Sequence, residues 1–178
     1  MKIVFGCRQS VLAACLVLAV TRPPGWGQDR TSRLPTAIKY SNALALYASL
    51  ETDQVRIGDH IRILLRLKNV SSEKIELREW IDQDTGPYWD YEVLAVDAKG
   101  NALANTPFGR RVAQEERGGS AVVRPLTPGD ELRKVVDVAK VWSIEHPGIY
   151  YVRVIGTAYT PSKTERVLSN IVRITLTE

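Results

Sequence analysis

Cysteine is nearly missing from this 178-residue chain, and so is histidine. Cys7 and Cys15 both fall within the first 27 residues, and His60 and His146 stand far apart. Beyond residue 27 the chain has no means of forming a disulfide, a thiolate metal site or a cysteine nucleophile. The longest apolar run, residues 11–20, covers ten positions, about half of what a membrane-spanning helix needs. A surplus of charge is also lacking. The 24 Lys and Arg face 20 Asp and Glu, but Lys2, Arg8 and Arg22 precede residue 28 and no acid does. That leaves 21 against 20 after residue 27, a net of +1. The clustered positive surface that nucleic acid or an anionic membrane requires is therefore excluded as an expectation.

What is present begins with order. A basic start, the apolar run, and then a small-residue stretch ending in Gly25 and Gly27 form the pattern of a secretory signal peptide over residues 1–27. Cleavage is expected between Gly27 and Gln28, with a product that is periplasmic or secreted. Leu12-Ala13-Ala14-Cys15 has the outline of a lipobox. Arg8-Gln9-Ser10 interrupts the apolar run before it, however, and five apolar residues follow it, so lipid anchoring through Cys15 is not expected. Residues 28–42, polar and without period, read as a flexible N-terminal arm. Residues 43–178 are long enough for one domain with its own core.

From Ala43 onward the period is two. Leu44, Leu46, Ala48 and Leu50 alternate with Ala45, Tyr47 and Ser49, and Ile61, Ile63, Leu65 and Leu67 form the clearest half-buried strand. Further runs lie at Ile75–Leu77, Tyr91–Val96, Val122-Val123, Leu132–Val138, Ile149–Ile155 and Leu168–Leu176. Turn chemistry separates them, notably Asn69-Val70-Ser71-Ser72, Asp97-Ala98-Lys99-Gly100-Asn101, Thr127-Pro128-Gly129-Asp130 and His146-Pro147-Gly148. One helical turn is expected at Val138–Ile144. The pattern predicts an all-β chain, an antiparallel immunoglobulin-like β-sandwich of about seven strands.

Segments in order carry a resemblance. Ile57-Gly58-Asp59-His60-Ile61 leads a strand ending in Leu67-Lys68-Asn69-Val70-Ser71. Leu126-Thr127-Pro128-Gly129-Asp130, Pro147-Gly148-Ile149-Tyr150-Tyr151-Val152 and Leu168-Ser169-Asn170-Ile171-Val172 follow, with Tyr88-Trp89-Asp90-Tyr91-Glu92-Val93 between. The layout resembles exported bacterial immunoglobulin-like domains and, over residues 57–155, the family of the intracellular proteinase inhibitor of bacilli. That second resemblance implies inhibition through an exposed loop, for which 105–120 is the candidate.

No catalytic set emerges. Neither histidine has a partner at ligand spacing, G-x-S-x-G is absent, and both histidines read as turn residues. The acidic stretch of Asp82, Asp84, Gly86 and Asp90 fails as an EF-hand loop, since the sixth position is Pro87 and the twelfth Val93; a solvated loop is expected there. Metal and cofactor are accordingly not expected. Asn69-Val70-Ser71 fits a glycosylation sequon but reads as a strand-ending turn. Among Trp80, Tyr88, Trp89 and Tyr91, alternation sends Trp89 and Tyr91 inward and leaves Tyr88 as the exposed aromatic. Phe108, Arg110 and Arg111, in the long connection before Gly118-Gly119, are the other binding candidates. The expectation is an exported, non-enzymatic binding or structural module whose partner is another protein or a glycan.

Overall fold

A computed structural model describes residues 41–81, 86–114 and 120–178. The expected signal peptide, the arm up to residue 40, Asp82, Asp84 and Gly118-Gly119 lie outside the described residues. Ten strands form: β1 (Leu44–Leu50), β2 (Val55–Arg56), β3 (Arg62–Asn69), β4 (Ile75–Ile81), β5 (Tyr91–Asp97), β6 (Ser120–Leu126), β7 (Glu131–Asp137), β8 (Gly148–Tyr159), β9 (Thr164–Leu168) and β10 (Val172–Thr177). A 3-10 turn occupies Gly86–Trp89, and two helices, α1 (Pro107–Gln114) and α2 (Val138–Val141), complete the described elements.

The strands make two sheets. One is β1-β3-β7; the other runs β2-β10-β8-β4-β6, with β5 and β9 also paired to the long β8. Alternation explains their packing. Ile63 and Leu65 of β3 face Val152 and Val154 of β8 and Ile174 of β10 across one apolar layer, each at most 0% exposed. The fold is the all-β, immunoglobulin-like sandwich that the period of two implies. Two details differ from the sequence reading. The short β2 pairs parallel with β10, the exception among the antiparallel ladders. The run from Leu168 to Leu176 is two strands rather than one, because Ser169 breaks the ladder. Its Oγ accepts the Val154 N–H, its own N–H donates to the Val154 carbonyl, and the buried hydroxyl donates on to the Asn170 carbonyl. Leu168 thus pairs with Ile155 and Val172 with Val152, which puts three residues, 169–171, opposite two, 153 and 154, of β8, a bulge.

The Asn69-Val70-Ser71 turn is a structural device. Asn69 is fully buried. Its Nδ2 donates to the carbonyls of Glu73 and Leu126, and its Oδ1 accepts from the N–H and hydroxyl of Ser71. Its backbone also bonds Asp130 and Gly129, so the β3–β4 turn is tied to the β6–β7 turn. Gly129 sits at φ +88°, a conformation that side-chain-bearing residues rarely adopt. A side chain this enclosed is no glycosylation acceptor in the folded protein.

On each of two edge strands, one residue is bonded by a side chain that acts as its strand partner. On β1, Ala48 turns its backbone away from β3; the Asn170 amide donates to the Ala48 carbonyl and accepts the Ala48 N–H, both at 2.9 Å. On β7, Asp137 faces away from β3 in the same way. The Tyr88 hydroxyl accepts the Asp137 N–H at 2.7 Å and donates to the Asp137 carbonyl at 3.0 Å. In both cases one side chain supplies the donor and acceptor that a neighbouring strand would supply.

The sheets are also joined by charge. Glu79 of β4 is buried and ion-paired with Lys134 of β7 and Arg124 of β6. Burial pushes the Glu79 carboxyl upward, but the hydrogen bonds from Lys134 and Arg124 outweigh it and hold the group below the usual carboxylate range.

Candidate functional site

At one end of the sandwich the 3-10 turn, α1, α2 and the end of β7 converge, and three of the four residues singled out from the sequence meet there. Helix α1 starts because Thr106 and Pro107 form a capping pair. Thr106 Oγ1 accepts the Gly109 N–H at 3.0 Å, while Pro107 has no N–H to leave unpaired at the first helical position. The same hydroxyl donates to the Lys140 carbonyl, and the Thr106 N–H bonds the Val141 carbonyl at 3.0 Å, so α1 is anchored to α2. Gly109 permits the contact: a Cβ there would run into the Val141 carbonyl. The expected long connection is therefore a docked helix across Pro107–Gln114. Within the 105–120 segment expected to present an inhibitory loop, residues 107–114 are thus helical and not extended, and residues 115–119 lie outside the described residues.

Tyr88 corrects the sequence reading. It is buried, not exposed, at 8%. The 3-10 turn interrupts the alternation that placed it on the outer face, and its hydroxyl is engaged by Asp137. Burial, foremost, pushes the phenol up to about 12. Tyr91 is buried as expected; the side chain of Trp89 lies outside the described residues. The ring of Phe108, half-buried, meets Tyr88 edge-on, with centroids 5.3 Å apart and planes at 77°. The guanidinium of Arg111 lies 5.4 Å from the Phe108 centroid, over the ring. Arg110 is exposed and donates from Nη1 to the Asn105 carbonyl at 2.7 Å. Tyr88, Phe108 and Arg111 thus form a stack from the core to the surface, with Arg110 beside it.

The structure adds a pair that sequence reasoning missed. Nδ1 of His60 lies 2.5 Å from Oδ2 of Asp137, and the imidazole is largely exposed. The other oxygen of Asp137 accepts from the N–H groups of Ile61 and Ala139, the latter as the N-cap of α2. The two residues are 77 apart in sequence, so no spacing rule could join them. The available signal was Asp137-Val138-Ala139, an N-cap before a short helical turn. Asp90, expected in a solvated loop, is buried and accepts the Trp80 N–H at 3.4 Å. No group of three or more metal-ligating side chains occurs among the described residues, and none of their helices is long and apolar enough to cross a membrane.

Neither a protein-family model nor a curated protein matches this chain, so the resemblance to the bacillar inhibitor family rests on turn motifs alone. Solved structures are similar in outline. The CARDB domain of the PF1109 protein from Pyrococcus furiosus, described in complex with di-metal ions, is 11% identical with a TM-score of 0.39, covering 85% of this chain and 99% of that one. The C-terminal domain of wzt is 12% identical with a TM-score of 0.45, covering 84% and 83%. BslA, a bacterial hydrophobin, is 12% identical with a TM-score of 0.34, covering 79% and 98%. With likeness this loose, the fold rests on its own sheets and the site on its own geometry.

Proposed function

We propose that this protein is an exported, non-enzymatic binding module of the bacterial cell envelope and that it meets another protein through Arg110 and Arg111. The observation that carries this reading is the docking of α1. Thr106 and Gly109 hold the helix against α2, while Arg110 and Arg111 are exposed and Arg111 lies over Phe108. Arginine beside an aromatic ring on a rigid base is the composition of interaction hot spots, where little ordering entropy remains to be lost on binding. His60 and Asp137 support the same end, since the carboxylate ties β3, β7 and α2 together beneath it.

Immobilised protein incubated with envelope extract should retain a specific partner. A variant carrying both Arg110→Ala and Arg111→Ala should lose that partner while keeping its melting temperature. Equal retention by the variant would remove α1 from the reading. N-terminal sequencing of the exported product should begin at Gln28; a product that keeps residue 1 and stays in the cytosol would refute export.

A further inference from the structure

β6 is unlike the other strands. From Ser120 to Pro125 every residue is exposed, with Val122 at 41% and Val123 at 53%. It pairs with β4 on one side. Its parity is readable from β4, because the Trp80 N–H turns away from β6 to the Asp90 carboxylate and Arg78 bridges to Tyr159 of β8. Arg78 and Trp80 lie opposite Val123 and Ala121, and Glu76 lies opposite Pro125. Those pairs are accordingly the ones without mutual hydrogen bonds, so Ala121 and Val123 point their N–H and C=O groups away from the sheet. Pro125 shares that phase, where a proline breaks no bond to β4. Among the described residues no side chain bonds this edge as Asn170 bonds Ala48 and Tyr88 bonds Asp137.

We propose that β6 is the contact through which two copies of this chain associate, by antiparallel β6–β6 pairing about a two-fold axis at Val122. The edge is complementary to itself. In this register Ala121 lies opposite the partner's Val123 and Val123 opposite the partner's Ala121, so the outward groups of each copy satisfy those of the other in four hydrogen bonds. Val122 meets the partner's Val122, removing exposed apolar surface from both copies. Charge permits it, since Arg124 faces the partner's uncharged Ser120 and is ion-paired with Glu79 of its own copy. Pro125 ends the pairing and limits its extent. One strand pair is small beside the roughly 1,200–2,000 Å² of a standard interface, so dissociation on dilution through the micromolar range is expected.

Sedimentation velocity on the purified protein from about 1 to 100 µM should show a monomer becoming a dimer. Two variants test the register. Val123→Pro removes an outward N–H and no bond to β4. Val122→Lys places an ammonium opposite Glu79 within one copy but opposite a second lysine across the axis. Both should stay monomeric at 100 µM while wild type dimerises. Should either fail to fold, amide hydrogen exchange on the wild type decides. The Ala121 and Val123 N–H groups should exchange at least about tenfold more slowly at the high concentration than at the low one. A wild type monomeric throughout, a dimer that survives in folded variants, or exchange at these two amides independent of concentration would each overturn the proposal. Wild type that stays monomeric but gains protection at these amides only with added envelope protein would likewise replace the second copy with a different partner.

Discussion

The edges of β1 and β7 and the edge of β6 face the same chemical problem, a row of backbone donors and acceptors without a neighbouring strand, and they meet it differently. At Ala48 and Asp137 a single side chain, Asn170 or Tyr88, supplies both a donor and an acceptor. Along β6 no described side chain does so, and every residue from Ser120 to Pro125 is exposed. The two residues so bonded are buried, and an unpaired amide there would cost about 1–3 kcal/mol. The open edge lies in solvent, where water satisfies it at little cost. Stability and assembly are therefore assigned to different strands of one fold.

That division can be broken at graded strength. The largest effect is expected from Asn69→Ala, which strips four hydrogen bonds, one buried and three partly buried, from the junction of the β3–β4 and β6–β7 turns. A loss of about 3–5 kcal/mol in urea unfolding is expected. Asn170→Ala should cost about 2–3 kcal/mol by exposing Ala48 to an unmet pair on β1. Tyr88→Phe keeps the ring against Phe108 and removes only the hydroxyl, so about 1–2 kcal/mol is expected by the same measurement. If both seals prove silent, water rather than side chains satisfies those edges and the contrast fails.

Charge gives a smaller and pH-dependent contrast. The Glu79 carboxyl is held below its usual value in the folded protein, so its stabilisation is complete above pH 4.5 and is lost as pH falls through the lowered folded value. Glu79→Gln should flatten the stability profile over that acid window and cost about 1 kcal/mol at neutral pH, since Arg124 is half exposed and solvent screens it. Urea unfolding between pH 7 and pH 3 reads both quantities. Smallest of all, Val123→Pro on the open edge should change monomer stability by no more than about 0.5 kcal/mol. A larger loss would mean that β6 is stabilised as the sealed edges are.

Much of the architecture was legible because alternation is local. Ile61, Ile63, Leu65 and Leu67 announce one buried face, and Thr127-Pro128-Gly129-Asp130 announces a turn, from neighbours a few residues apart. The site was less so. Thr106-Pro107 carries a helix start that the charged connection obscured, and Tyr88 was assigned outward by a parity that the 3-10 turn cancels. His60 and Asp137 are joined only by the meeting of β3 and β7. Composition marks Arg110 and Arg111, but only the helical spacing of α1 brings Arg111 over Phe108, three residues away, and only its docking on Val141 sets both arginines on a rigid base.

Residue order alone determined a period of two, the places where the chain must reverse, and hence two layers enclosing aliphatic side chains. These depend on steric preferences and hydrophobic phase within a strand's length. Tertiary structure decided which edges are closed and which stays open. A hydroxyl or amide can replace a strand only after distant segments have been brought within hydrogen-bond reach, as Asn170 is at Ala48 across 122 positions.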